Sequence, residues 1–73
     1  MASQIVMDHT GDTRHHFDAR DEAAVEGARR RFVKLTSAGF TAAVRTGQGT
    51  SALARRFDPT AEETVFFPRL VGG

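Results

Sequence analysis

Asp18-Ala19-Arg20-Asp21-Glu22-Ala23-Ala24-Val25-Glu26-Gly27-Ala28-Arg29-Arg30-Arg31-Phe32-Val33-Lys34-Leu35-Thr36-Ser37-Ala38-Gly39-Phe40 carries the longest periodic pattern in the chain. Val25, Ala28, Phe32 and Leu35 recur at three- and four-residue spacing and draw one apolar stripe along a helix. Glu22, Glu26, Arg29, Arg30 and Lys34 mostly fall away from that stripe. Glu26 lies four residues before Arg30, the favourable orientation for an intrahelical ion pair. Asp18 is placed to cap the free backbone N–H groups at the entry, and Asp21 and Glu22 meet the positive end of the helix dipole. At the exit Gly39 suits the left-handed C′ position, with Leu35 at C3 and Phe40 at C″, so a Schellman ending joins two apolar side chains. The spacing predicts a helix over about residues 20–38. Gly27 in its interior costs about 1 kcal/mol relative to Ala.

On the N-terminal side, residues 4–7 are short, β-branched and apolar and read as a first strand. Gly11, within His9-Thr10-Gly11-Asp12-Thr13, supplies the conformational freedom a tight hairpin needs. Residues 13–17 return as a second strand, with Thr13, His15 and Phe17 on one face and Arg14 and His16 on the other. Phe17 marks the buried side. On the C-terminal side, residues 41–45 form a third strand, with Phe40, Ala42 and Val44 aligned. Thr46-Gly47-Gln48-Gly49-Thr50 reads as a glycine-containing turn. Residues 52–57 read as a fourth strand with Leu53 and Phe57 opposite Arg56, a short helical turn being the alternative. Asp58-Pro59 breaks that pattern, and Thr60-Ala61-Glu62-Glu63 matches a capping box and one short turn. Residues 64–70 are the last strand, whose pairing Pro68 limits near its exit. The expected class is therefore α+β, a mixed sheet of four to five strands packed on one amphipathic helix. Residues 1–71 form a single domain and residues 72–73 a glycine tail.

Composition narrows the function classes. With 73 residues there is room for one domain, and 40% hydrophobic with 26% charged residues is ordinary for a globular chain. There is no cysteine, so disulfides, thiolate zinc sites and a thiol nucleophile are excluded. No apolar run approaches the roughly 20 residues a membrane helix needs, and the opening Met1-Ala2-Ser3-Gln4 has no secretion-signal pattern, so the expected location is cytoplasmic with no membrane partner. A net charge of +1 does not favour nucleic acid as a partner. Lys34 is the only lysine and the other basic residues are Arg, a bias that fits bidentate contacts with protein or reflects codon composition.

At its two ends the chain resembles the ubiquitin-like β-grasp superfamily. Gln4-Ile5-Val6-Met7 with Thr10-Gly11-Asp12-Thr13 is similar to ubiquitin's first hairpin, with one residue less between. Glu63-Thr64-Val65-Phe66-Phe67-Pro68 followed by Gly72-Gly73 is more similar to sulfur carriers such as the molybdopterin synthase small subunit. Arg69 and Val71 depart from the sulfur-carrier pattern, and Leu70 and Val71 depart from ubiquitin's, so the branch stays open. The resemblance implies a β-grasp carrier activated at Gly72 and Gly73, with Phe66, Phe67, Pro68, Arg69, Leu70 and Val71 forming the tail and partner contact. It implies an adenylating enzyme that uses ATP, no permanently bound cofactor, and either a sulfur acceptor or a protein acceptor. Glycine has no Cβ, which lets such a tail pass through a narrow catalytic channel. The chain would be a substrate and carrier, not an enzyme. The alternative is a small noncovalent interaction module with no C-terminal chemistry.

Other constellations are weaker. His9, His15 and His16 suggest a metal, but adjacent strand residues point to opposite faces and no acidic or thiol pattern completes a set. Arg29-Arg30-Arg31 with Lys34, helped by Arg55-Arg56, reads as a solvated helix face and second as a docking patch for an acidic partner. Without Tyr or Trp, and with the Phe residues needed for the core, stacking on bases is disfavoured. The glycines around Gln48 lack the lysine of a phosphate loop, and Ser37 and Ser51 lack partners for nucleophilic catalysis.

Overall fold

A computed structural model describes residues 1–45 and 51–68. The elements run β1 (Ala2–Asp8), β2 (Gly11–Phe17), α1 (Glu22–Ser37), β3 (Phe40–Arg45), β4 (Ser51–Ala54) and β5 (Glu63–Pro68). They form one five-stranded sheet in the order β2-β1-β5-β3-β4, with α1 packed on one face. β1 pairs antiparallel with β2 and parallel with β5, and β3 pairs antiparallel with β4 and β5. This mixed sheet gripping one helix is the β-grasp arrangement expected from the sequence. The turn at Thr46-Gly47-Gln48-Gly49-Thr50 and residues 69–73 lie outside the described residues.

The hairpin turns at His9-Thr10, where Gly11 adopts a φ of 135°. Asp8 Oδ1 accepts from the Thr10 amide at 2.8 Å and from its hydroxyl at 2.5 Å. The same device recurs at Asp58, which accepts from the Thr60 amide at 2.9 Å and hydroxyl at 2.6 Å. That second bond corrects the capping-box reading of Thr60-Ala61-Glu62-Glu63. Asp58 engages the Thr60 hydroxyl and Glu63 opens β5, while the expected short turn forms at residues 58–61.

The helix begins later than predicted. Asp18 is not its cap: Asp18 Oδ1 takes the Arg20 amide at 2.9 Å, and the Asp21 amide donates to the Asp18 carbonyl at 3.0 Å. That tight turn leaves Asp21 as the N-cap, accepting from the amides of Ala23 and Ala24. The exit matches expectation. Ala38 is the C-cap, Gly39 has a φ of 104°, and its amide donates to the Thr36 carbonyl at 3.2 Å. Leu35 and Phe40 pack against the same core cluster.

Ala28 and Phe32 carry the centre of the apolar stripe into the sheet. Phe32 meets Phe66 edge-on at 5.7 Å between centroids and Phe57 at 6.0 Å. Ala2, Phe17 and Ala28 form a second cluster, and Phe57 joins the two, lying 6.3 Å from Phe17. The predicted pairing of Leu53 and Phe57 on one strand face is corrected here. β4 ends at Ala54 and the chain bends at Arg55-Arg56, so Phe57 enters the core from a loop while Leu53 remains 73% exposed.

Candidate functional site

Two surfaces are built by this sheet, one on each side. Period-two alternation puts Ala2, Gln4 and Val6 toward the helix and Ser3, Ile5 and Met7 away from it. Carried across the sheet by register, the outer face holds the row Arg14, Ile5, Val65, Ala43 and Leu53. Phe67 and Thr41 pair in the next row, on the side of Met7. Glu63 and Arg45 pair at 3.8 Å across the row on the other side. Among the described residues no helix covers this face, and Met7, Leu53 and Phe67 are exposed large apolar side chains on it. Exposed apolar groups gathered on one face are the usual mark of a docking surface.

β5 links this face to the predicted activation site. It is the central strand, held by β1 on one side and β3 on the other, and its last registered residue is Pro68 opposite Phe40. Of the residues predicted as tail contacts, Phe66 is fully buried against Phe32, so its place is the core. Phe67 and Pro68 are exposed. Arg69, Leu70, Val71, Gly72 and Gly73 lie outside the described residues. His15 and His16 point to opposite faces of β2, as the alternation required, and no cluster of metal-binding side chains forms among the described residues.

The inner side holds a site that sequence reading missed. Gln4 is fully buried, yet both ends of its amide are satisfied. Its Nε2 donates to the Ala28 carbonyl at 3.0 Å, and its Oε1 accepts from Arg31 Nη1 at 2.8 Å. A buried amide without partners costs roughly 1–3 kcal/mol, so these bonds fix the rotamer of Gln4 and with it the position of Arg31. Beside them, burial and then the Arg31 charge hold the His15 imidazole below its ordinary range. Glu26 meanwhile pairs with both Arg29, at 3.6 Å, and Arg30, at 3.7 Å. Arg29 also lies over the Phe57 ring at 5.3 Å. The signal for Gln4 was present, since it alternates with Ala2 and Val6 on a core-facing strand.

Comparison with family models, curated proteins and solved structures returns no match. No helix among the described residues is long and apolar enough to cross a membrane.

Proposed function

We propose that this chain is a ubiquitin-like carrier whose Gly73 carboxylate is activated for sulfur transfer or for conjugation to protein. The observation that carries the reading is the position of β5. The segment running toward Gly72-Gly73 leaves from the best-anchored strand, at the centre of a β-grasp sheet. A carboxylate is a poor electrophile, so an adenylating enzyme must act first. Attack of a Gly73 carboxylate oxygen on the α-phosphorus of ATP gives an acyl-adenylate and releases pyrophosphate. A sulfide-level donor or an enzyme thiolate then attacks the carbonyl and expels AMP, leaving a thiocarboxylate or a thioester. The thioester passes the acyl group to an amine and frees the thiol. The body of the carrier contributes recognition, and the outer face with Met7, Leu53 and Phe67 suits contact with the activating enzyme.

The exposed apolar face also favours a second reading, a noncovalent interaction module with no chemistry at Gly73. Intact-mass analysis after incubation with ATP and a purified adenylating enzyme separates the two. A thiocarboxylate adds about 16 Da, and a conjugate adds the carrier mass less water. If neither forms, while a chain lacking Gly72-Gly73 still captures the partner of the intact one, the carrier reading falls.

A further inference from the structure

The solvent side of α1 carries an ordered row of charge. Glu22, Glu26, Arg30 and Lys34 follow one another at four-residue spacing, so they form a single ridge on the helix surface, two acids and then two bases. All four are exposed, whereas Ala28 and Phe32 of the same helix are buried against the sheet. Two smaller apolar groups flank the ridge. Val33, 55% exposed, stands beside its basic half, and the exposed Ala23 stands beside its acidic half.

Within one chain this charge is only partly used. Glu26 meets Arg29 at 3.6 Å and Arg30 at 3.7 Å, whereas Glu22 and Lys34, at the two ends, form no ion pair among the described residues. Both ends are left with like-charged neighbours, Glu22 beside Glu26 and Lys34 beside Arg30, an arrangement that weakens an isolated helix. The helix dipole favours an acid in the first turn and a base in the last, but it does not remove the repulsion between neighbours. What no contact within the chain uses is the order of the signs. Turned by half a rotation, a ridge of two acids and two bases is its own complement.

We propose that this ridge is the interface of a homodimer, in which α1 packs antiparallel on α1 of a second copy about a two-fold axis between Glu26 and Arg30. Glu22 then faces the partner's Lys34 and Glu26 faces the partner's Arg30, and the symmetry makes each contact twice. Ridges of four-residue spacing on both helices are the ones that interdigitate in the commonest class of helix packing. The same rotation sets Val33 against the partner's Ala23 at each end. A second copy fits better than a uniformly acidic or basic partner, which one half of the ridge would attract and the other repel. Exposed charge with little apolar area makes a weak dimer, tightest at low salt. Because α1 covers one face of the sheet, the pair leaves both outer faces open. The proposal does not rest on chemistry at Gly73, and a chain lacking Gly72-Gly73 is expected to dimerise equally well.

Sedimentation equilibrium of the full chain at about 1 mM protein and about 20 mM salt should give a mass above the 7.9 kDa of one chain, falling toward it as salt rises to about 0.5 M. Over the same dilution, amide resonances of Glu22, Glu26, Arg30, Val33 and Lys34 should shift, and those of Met7, Leu53 and Phe67 should not. Glu22→Lys with Glu26→Lys makes the ridge wholly basic, and Arg30→Glu with Lys34→Glu makes it wholly acidic. Each double variant should self-associate at least about 10-fold more weakly than the parent, while an equal mixture of the two should pair at least as tightly as the parent. If circular dichroism shows either double variant unfolded, Glu22→Lys mixed with Lys34→Glu makes the same comparison from the two ends alone. A parent chain that stays monomeric at low salt, self-association unmoved by the charge reversals, or no recovery in the mixture would each overturn the proposal. So would shifts confined to the outer face or to β4. A polyglutamate peptide that shifts Arg30 and Lys34 while the chain stays monomeric would overturn it too, and would assign the ridge to an acidic partner.

Discussion

The two faces of the sheet are made from the same alternating strands, yet they are finished differently. Toward the helix, Ala2, Ala42 and Phe66 are sealed under Ala28 and Phe32, and even the polar Gln4 is fully buried with its amide engaged. On the outer side Ile5 is buried between its register neighbours Arg14 and Val65, but Met7, Leu53 and Phe67 stay exposed. The inner face therefore holds the stability of the domain, and the outer face holds apolar area that folding alone does not use. In a chain of 73 residues this is a large concession, because small domains bury a modest share of their surface.

Substitutions that remove matched apolar volume from the two faces test that contrast most severely. Phe66→Ala and Phe32→Ala should each cost about 3–5 kcal/mol, enough to unfold much of the population. Leu53→Ala should change stability by no more than about 0.5 kcal/mol. Urea denaturation of the three variants checks this, and a large loss from Leu53→Ala would mean that the outer face is also core.

The polar part of the inner face comes next. Gln4→Met keeps the volume but removes both hydrogen bonds, and should cost about 1–3 kcal/mol. It should also free Arg31, seen as loss of the slowed exchange of its guanidinium protons in NMR. Asp21→Ala should cost about 1 kcal/mol by removing the acceptor for Ala23 and Ala24, while Asp18→Ala costs less because it holds only the preceding turn. Gly27→Ala should act in the opposite direction, stabilising the chain by up to about 1 kcal/mol, since the added methyl meets open space.

Smallest of all are the pH effects at the margins of the sheet. Thr10 and Thr60 hold the carboxyls of Asp8 and Asp58 below their ordinary 3.8, through hydroxyl and then amide donation. Lowered carboxyls contribute stability above the unfolded value and lose it as pH falls through the folded one. Tm should accordingly decline below about pH 4, less steeply in Asp8→Asn and Asp58→Asn. His15, held below 6.5 by burial and by Arg31, also favours its neutral form in the folded chain. Its contribution is complete above pH 6.5 and shrinks as pH falls below that, a slope that His15→Gln should remove.

The elements and most of their faces were legible in local patterns of residues. The stripe Val25, Ala28, Phe32, Leu35 and the alternation Thr13, His15, Phe17 needed only the periods 3.6 and 2, which are properties of local backbone geometry. Gly39 was legible for the same reason, because a positive φ at a helix end is a local demand. What stayed hidden depended on partners distant in the chain. Asp18 and Asp21 are equally good caps in isolation, and the turn between them selects the second. Phe57 looked like a strand residue until the bend at Arg55-Arg56 sent it between Phe17 and Phe32. Gln4 lies 27 residues before Arg31, and only the docking of α1 on β1 joins their side chains beneath a trough, between α1 and β2, that Arg31 and Gly27 line. The carrier reading of Gly72-Gly73 lies in the sequence, whereas the trough exists only in the tertiary structure. Its charge and its opening come from α1, its edge from β2 and the anchor of Arg31 from β1, and no local pattern records how they meet.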